Sequence, residues 1–425
     1  MGQQALSVQN SNSSPIFTVL YRFKGGADGS QTFAGLAMGP NGSLFGTTGG
    51  GDASPCAGGC GTVFELTPPA SPGGPWTESV LHGFTGTPDA ANPMAGVTIG
   101  EGGTIYGTTF FGGDWNEGAV YELTRQTSGG PAWTETVIYS FGAQEGDGIN
   151  PLARLVLGPD GSLYGTTYFG GTWHYGTVFR LIPPASTGLG WTENVLYSFQ
   201  GGADAAYPYA GVVRGRDGVL YGTTGDGGGA SWGTVFSLTP SSAPDGPWLE
   251  TVLYSFTHEN GDGAEPEANV VIGASGELYG TTVLGGAPIG GGTVFELYPP
   301  ASPGGAWIET VLYAFSPPDT DYDGFKPLAS LAIGAEGSLY GTTVEGSSDM
   351  IDGTVFKLSP PAPPGGFWTE RLLHIFEVGS GAGIIPVAGL VLGRNGVLYG
   401  TTEQGGARAK SCPEDGCGTV FELVP

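Results

Sequence analysis

A short apolar run with one fixed signature recurs seven times along the chain. It reads Leu44–Thr48, Ile105–Thr109, Leu163–Thr167, Leu220–Thr224, Leu278–Thr282, Leu339–Thr343 and Leu398–Thr402: an aliphatic residue, an aromatic, then Gly-Thr-Thr. The aromatic falls at 45, 106, 164, 221, 279, 340 and 399, so the repeat is 57 to 61 residues long. Around each signature the pattern predicts four strands. In the third unit these are an apolar run at 153–158, a Pro-Asp-Gly turn, the signature itself, Gly-Thr-Val-Phe at 176–179, and the alternating segment 191–199 (WTENVLYSF). Runs rich in β-branched and aromatic residues, bounded by Gly and Pro, are strands. No segment has helical periodicity. Four strands per unit of this length is a propeller blade. The expected fold is therefore all-β, a seven-bladed β-propeller with four-stranded blades.

The chain ends predict how the ring closes. The last unit stops after its third strand, at 418–423. Residues 17–23 (FTVLYRF) match the fourth-strand pattern and have no unit of their own. The N-terminal strand should complete the seventh blade. Residues 1–15 read as a flexible tail and 16–425 as one propeller; the opening MGQQALSVQNSNSS has neither a basic start nor an apolar run, so it does not read as an intact signal peptide.

Composition narrows the partners. The chain has 425 residues, 82 of them Gly and 33 Pro, yet 11% are aromatic, which separates it from disordered Gly/Pro-rich chains. Its net charge is −26, with 13 Lys and Arg against 39 Asp and Glu. Nucleic acid would be repelled, because binding there depends on neutralising phosphates. Anionic membrane surfaces are disfavoured on the same ground, and no apolar run is long enough to span a bilayer.

The Leu-Tyr-Gly-Thr-Thr, Gly-Gly, Gly-Thr-Val-Phe succession resembles the GloVer (Gloeobacter–Verrucomicrobia) extracellular repeat family, over nearly all of residues 16–425. The resemblance implies a secreted or surface-anchored bacterial protein, and implies no particular reaction.

In such a ring the second-to-third and fourth-to-first loops share one face. The other face carries uniform Pro-rich connections, such as 68–75 and 299–303. The first face varies, and loops carry function. Phe110, Phe111, Asp114, Trp115 and Glu117 fall in its second blade, Tyr168, Phe169, Trp173, His174 and Tyr175 in its third, and Asp226 and Trp232 in its fourth. The other six Trp occupy one repeated fourth-strand position. Aromatic platforms beside carboxylates suit sugar rings, so Phe111, Trp115, Tyr168, Trp173 and Trp232 are the candidate carbohydrate-binding residues. The alternatives are a lyase or hydrolase at the same face, with His174, Tyr175, Asp114 and Glu117 as acid/base candidates, a surface scaffold for protein partners, or aromatics that merely pack the loops together.

An Asp recurs in the fourth-to-first loops at 28, 89, 147, 204, 262 and 323. Asp319-x-Asp321-x-Asp323-Gly324 resembles the start of a calcium loop but lacks the closing Glu. The competing reading has each Asp accepting backbone N–H groups within its own turn. Four cysteines form two close pairs, Cys56/Cys60 and Cys412/Cys417, which predicts two local disulfides in an extracellular chain, with a shared four-thiolate zinc site as the alternative.

Overall fold

The glycine of each signature and the aromatic of the next strand explain one another. In the computed structural model, Gly165 lies opposite Phe179, and a Cβ on Gly165 would come within 2.6 Å of the Phe179 ring. Only a residue without a side chain leaves the ring that space. The pairing recurs as Gly46–Phe64, Gly107–Tyr121, Gly222–Phe236, Gly280–Phe295, Gly341–Phe356 and Gly400–Phe421. All seven rings are fully buried, each worth about 1.5–3 kcal/mol of burial. The structure describes residues 14–425 apart from 52–55, 57, 72, 127–131, 187–188, 242–245, 287–289, 303, 317–322, 347–350, 363–364, 407–411 and 413–414.

Seven four-stranded antiparallel sheets form the ring of a β-propeller. The third blade consists of Val156–Leu157, Leu163–Thr167, Thr177–Ile182 and Thr192–Ser198, in that order from the axis outwards. The first strand is shorter than the sequence suggests, because its leading residues serve the neighbouring blade. The Ala153 carbonyl accepts a hydrogen bond from the Thr108 hydroxyl of blade two.

That bond belongs to a complete circle, and it explains the first threonine of the signature. Thr47 donates to Ala95, Thr108 to Ala153, Thr166 to Ala210, Thr223 to Ala268, Thr281 to Ala329, Thr342 to Ala388 and Thr401 to Ala34, at 2.8–3.2 Å. Each blade is thus tied to the next by a buried hydrogen bond of this kind, and the last is tied to the first. The second threonine turns inwards within its own blade. In six blades it meets a third-strand Thr hydroxyl, as in Thr167 with Thr177 at 2.8 Å.

Closure follows the expected route. Ile16–Arg22 pairs antiparallel with Thr419–Val424, from Ile16 opposite Val424 to Arg22 opposite Thr419. The Phe23 N–H then donates to the Gly418 carbonyl at 3.1 Å.

The seams between outer strands carry a three-residue unit. A fourth-strand Tyr hydroxyl bonds the loop Asp that follows it: Tyr21 to Asp28, Tyr139 to Asp147, Tyr197 to Asp204 and Tyr313 to Asp323. The same Asp accepts backbone N–H groups of its turn, such as those of Gly142 and Ala143 at Asp147. Across the seam stands the fourth-strand Glu of the next blade. At the seam between blades six and seven all three positions change together. Ala382 stands for the Asp, Phe17 for the Glu and His374 for the Tyr. Phe17 and His374 stack with centroids 3.7 Å apart and planes 3° apart, and burial pushes the His374 imidazole down to about 4.

Candidate functional site

The variable face is built by a second set of short ribbons. Each fourth-to-first loop pairs with the second-to-third loop of the following blade: Ala90–Ala91 with Phe111–Gly112, Gly148–Ile149 with Phe169–Gly170, Ala205–Ala206 with Asp226–Gly227, and Gly263–Ala264 with Leu284–Gly285. Bridges at Ser30–Gly50, Phe325–Glu345 and Ile384–Gln404 make the same join elsewhere. Loops held on two sides present their side chains at fixed positions, which is the requirement for recognition.

Trp115 and Trp173 occupy equivalent positions in blades two and three and are 59% and 55% exposed. Phe111 and Phe169 are also equivalent and open to solvent. Each lies edge-on to its predecessor, Phe110 or Tyr168, with centroids 4.7 and 4.3 Å apart. An open cleft of about 380 Å³ beside Trp115 is lined by Pro88, Asp114, Tyr139 and Ala143 among others. Larger hollows on the opposite face, such as one bounded by Met38, Pro40, Arg394 and Tyr399, sit at the turns between first and second strands.

Trp232 takes a different position. It is equivalent to Glu117 and Tyr175 rather than to the two exposed tryptophans, is half-buried, and meets the His258 ring edge-on at 4.6 Å. Tyr175 packs in the same way, against Gly201 and, at 5.4 Å, against Tyr207. His174 is exposed and, like its equivalents Asn116 and Ser231, has a left-handed backbone, with φ of 62°. No hydrogen bond or ion pair joins any two of His174, Tyr175, Asp114 and Glu117. Asp319 and Asp321 lie outside the described residues. Asp323 is buried and accepts from the Tyr313 hydroxyl and the Ser316 N–H, at 2.8 and 3.1 Å. Both cysteine pairs are disulfides, Cys56–Cys60 and Cys412–Cys417, and no thiol remains free for the zinc alternative.

The structure adds residues that the loop reading passed over. Tyr207 and Tyr209, from the loop entering blade four, close around Tyr168. The Tyr168 hydroxyl donates to that of Tyr209 at 3.1 Å, and Tyr168 lies 4.6 and 5.4 Å from the Tyr209 and Tyr207 rings. Glu265 and Glu267, from the loop entering blade five, join Asp226 at the edge of this aromatic group. Burial, then the neighbouring charges of Glu265 and Asp226, push Glu267 up to about 7. Burial and the Asp226 charge also raise Glu265, and burial is the largest cause raising Tyr168. The signal was present in the sequence. The residues on either side of the loop Pro are Asn and Leu in the third unit, around Pro151, but Tyr207 and Tyr209 around Pro208, and Glu265 and Glu267 around Pro266.

The Gloeobacter/Verrucomicrobia repeat model matches residues 53–257 and 190–421. This chain belongs to that repeat family. No curated protein matches it. Among solved structures the repeat protein is similar to polysaccharide lyase Uly1, at 12% identity and a TM-score of 0.47, with 99% of this chain and 94% of that one covered. It is also similar to PorZ, a surface component of the type-IX secretion system of Porphyromonas gingivalis, at 15% identity and a TM-score of 0.36. That match covers 89% of this chain and 55% of PorZ. Likenesses of this strength carry no functional argument. Among the described residues no helix is long and apolar enough to cross a membrane.

Proposed function

We propose that this repeat protein is an extracellular propeller that binds polysaccharide across the variable face of blades two to four. The observation that carries the reading is the pair Trp115 and Trp173. Two large apolar rings, each more than half exposed, stand at matching positions of adjacent blades. Exposing an indole to water has no folding benefit, whereas an exposed, rigid ring stacks on the C–H face of a sugar. Phe111, Phe169 and Tyr209 are exposed as well and add to the aromatic surface, and Asp114 and Asp226 offer acceptors for hydroxyls. Two disulfides fit an oxidising compartment.

A second reading, turnover of the bound glycan, is favoured by one observation. Burial and the neighbouring charges of Glu265 and Asp226 push Glu267 up to about 7, close to the hydrogen-bonded Tyr168–Tyr209 pair. A carboxyl in that state is matched to general-acid work at neutral pH. Incubating the protein with a panel of polysaccharides, and following both retention and newly released oligosaccharides by mass spectrometry, separates the readings. Retention without release supports the binding module. Release that is abolished in Glu267→Gln supports turnover. Neither retention nor release from any glycan contradicts both and leaves a protein-binding scaffold.

A further inference from the structure

The seam between blades one and two departs from its sisters in one residue. Five of the six Asp-bearing seams have Tyr at the fourth-strand position facing the Asp: Tyr21, Tyr139, Tyr197, Tyr254 and Tyr313. Here it is His82, while the loop Asp89 and the cross-seam Glu135 are kept. A phenol donates one proton and ligates a metal poorly. An imidazole offers a nitrogen lone pair and is the commonest biological metal ligand.

The geometry gathers three donor groups. His82, Asp89 and Glu135 each present one ligand atom, and the three atoms lie within 4.8 Å of one another. The His82 Nε2 is 3.6 Å from Asp89 Oδ2, a separation that suits two ligands on one tetrahedral ion. His82 Nε2 is buried and meets only Asp89, beyond hydrogen-bond distance, and Glu135 Oε1 is buried without a hydrogen-bond partner, as are the matching Glu oxygens of the sister seams. Buried polar atoms without partners cost free energy, and what sets this seam apart is the imidazole nitrogen, which a cation beside Asp89 and Glu135 would engage. Asp89 is held in place by the Thr85 N–H and hydroxyl and by the Ala90 N–H, at 2.7–2.9 Å. His82 is steadied by the Phe84 ring, edge-on at 4.9 Å. His82 and Glu135 sit on Thr77–Gly83 and Trp133–Ser140, the outer strands of neighbouring blades.

We infer that His82, Asp89 and Glu135 form a binding site for one divalent transition-metal ion of the zinc class, closing the seam between blades one and two. One nitrogen and two carboxylate oxygens suit such an ion, with a fourth position left to water. A purely oxygen-seeking ion such as calcium needs six to eight oxygens, which this trio does not supply. The site lies beside the glycan-binding surface rather than on it. The loop that holds Asp89 also reaches the Trp115 loop, through Thr87 and Asn116 at 3.3 Å, so the ion would brace that edge of the cleft.

The test uses the sister seams as its control. Metal-stripped full-length protein is titrated calorimetrically with zinc chloride, alongside His82→Tyr, which restores the residue found at five other seams, and Glu135→Gln. The expected result is one equivalent of zinc bound with micromolar or better affinity and a raised melting temperature. Both variants should bind at least ~100-fold more weakly, while His82→Tyr still melts cooperatively without metal. Three results overturn the inference: no zinc bound by the wild-type protein, unchanged affinity in His82→Tyr, or tighter binding of calcium chloride than of zinc.

Discussion

At the scale of single residues, the seam carboxylates make the ring sensitive to pH. Glu193 faces Asp147 across the seam, and the Tyr139 hydroxyl donates to that Asp at 3.2 Å. Burial, then the Asp147 charge, raise Glu193 to about 8. Glu78, Glu250, Glu309 and Glu370 are raised to about 7 by burial and then by Asp28, Asp204, Asp262 and Asp323. Lys24 offsets part of this at Glu78. Two carboxylates in a half-buried seam repel when both are ionised, so the folded state keeps a proton that the unfolded chain has already lost. The sign follows from linkage. With folded values above unfolded ones, this stabilisation is complete below about pH 4.5 and is lost as pH rises through 7 to 8. Melting temperature should therefore fall between pH 5 and pH 9. Glu193→Gln, which keeps the donor but cannot ionise, should flatten part of that fall and melt a few degrees above the wild type at pH 9. A melting profile identical to that of the wild type would contradict this reading. The sequence shows the recurring Asp and Glu separately, but not that they meet. Their contact is across blades and some 45 to 50 residues apart, which a strand pattern does not reveal. The joint exchange to Phe17, His374 and Ala382 makes the pairing visible only once the strands are in register.

At the scale of elements, the strand Ile16–Arg22 is what makes the ring closed. It contributes the outer edge of blade seven. Phe17 packs between His374, Phe376 and Phe421, with centroids 3.7–5.7 Å away. Deleting residues 14–23 would open the blade-six seam and leave Thr419–Val424 as a bare edge, a template for aggregation. The truncated protein should be insoluble, or should melt broadly and bind a hydrophobic dye. A sharp melt at the temperature of the full chain would show that closure contributes nothing. This feature was legible in the sequence, because an orphan fourth-strand motif at one end and a missing fourth strand at the other have one simple solution. The first strands were less legible. The run 153–158 is apolar apart from Arg154, yet its leading residue Ala153 serves the neighbouring blade. Hydrophobicity does not distinguish that use from sheet pairing.

At the scale of the whole molecule, the two faces differ in their loops. One holds third-to-fourth connections that are mostly Pro-rich. The other combines a tied framework of loop ribbons with side chains that differ from blade to blade. The fold was readable from the repeat alone, and so was the location of the exposed tryptophans, because both depart from the repeat at one loop. Trp232 departs from it too but is half-packed, since it falls two positions later than its apparent equivalents, where the side chain turns in towards His258. The Tyr207, Tyr209, Glu265 and Glu267 group was harder to see, because it converges on Tyr168 from loops of different units. The account stands or falls on whether Trp115 and Trp173 engage a glycan. The measurement is the retention of wild-type protein and of the Trp115→Ala/Trp173→Ala double variant on the polysaccharide that holds the wild type best, with melting temperatures recorded for both. The account predicts at least a tenfold loss of affinity in the double variant at an unchanged melting temperature; equal retention of the two proteins would contradict it.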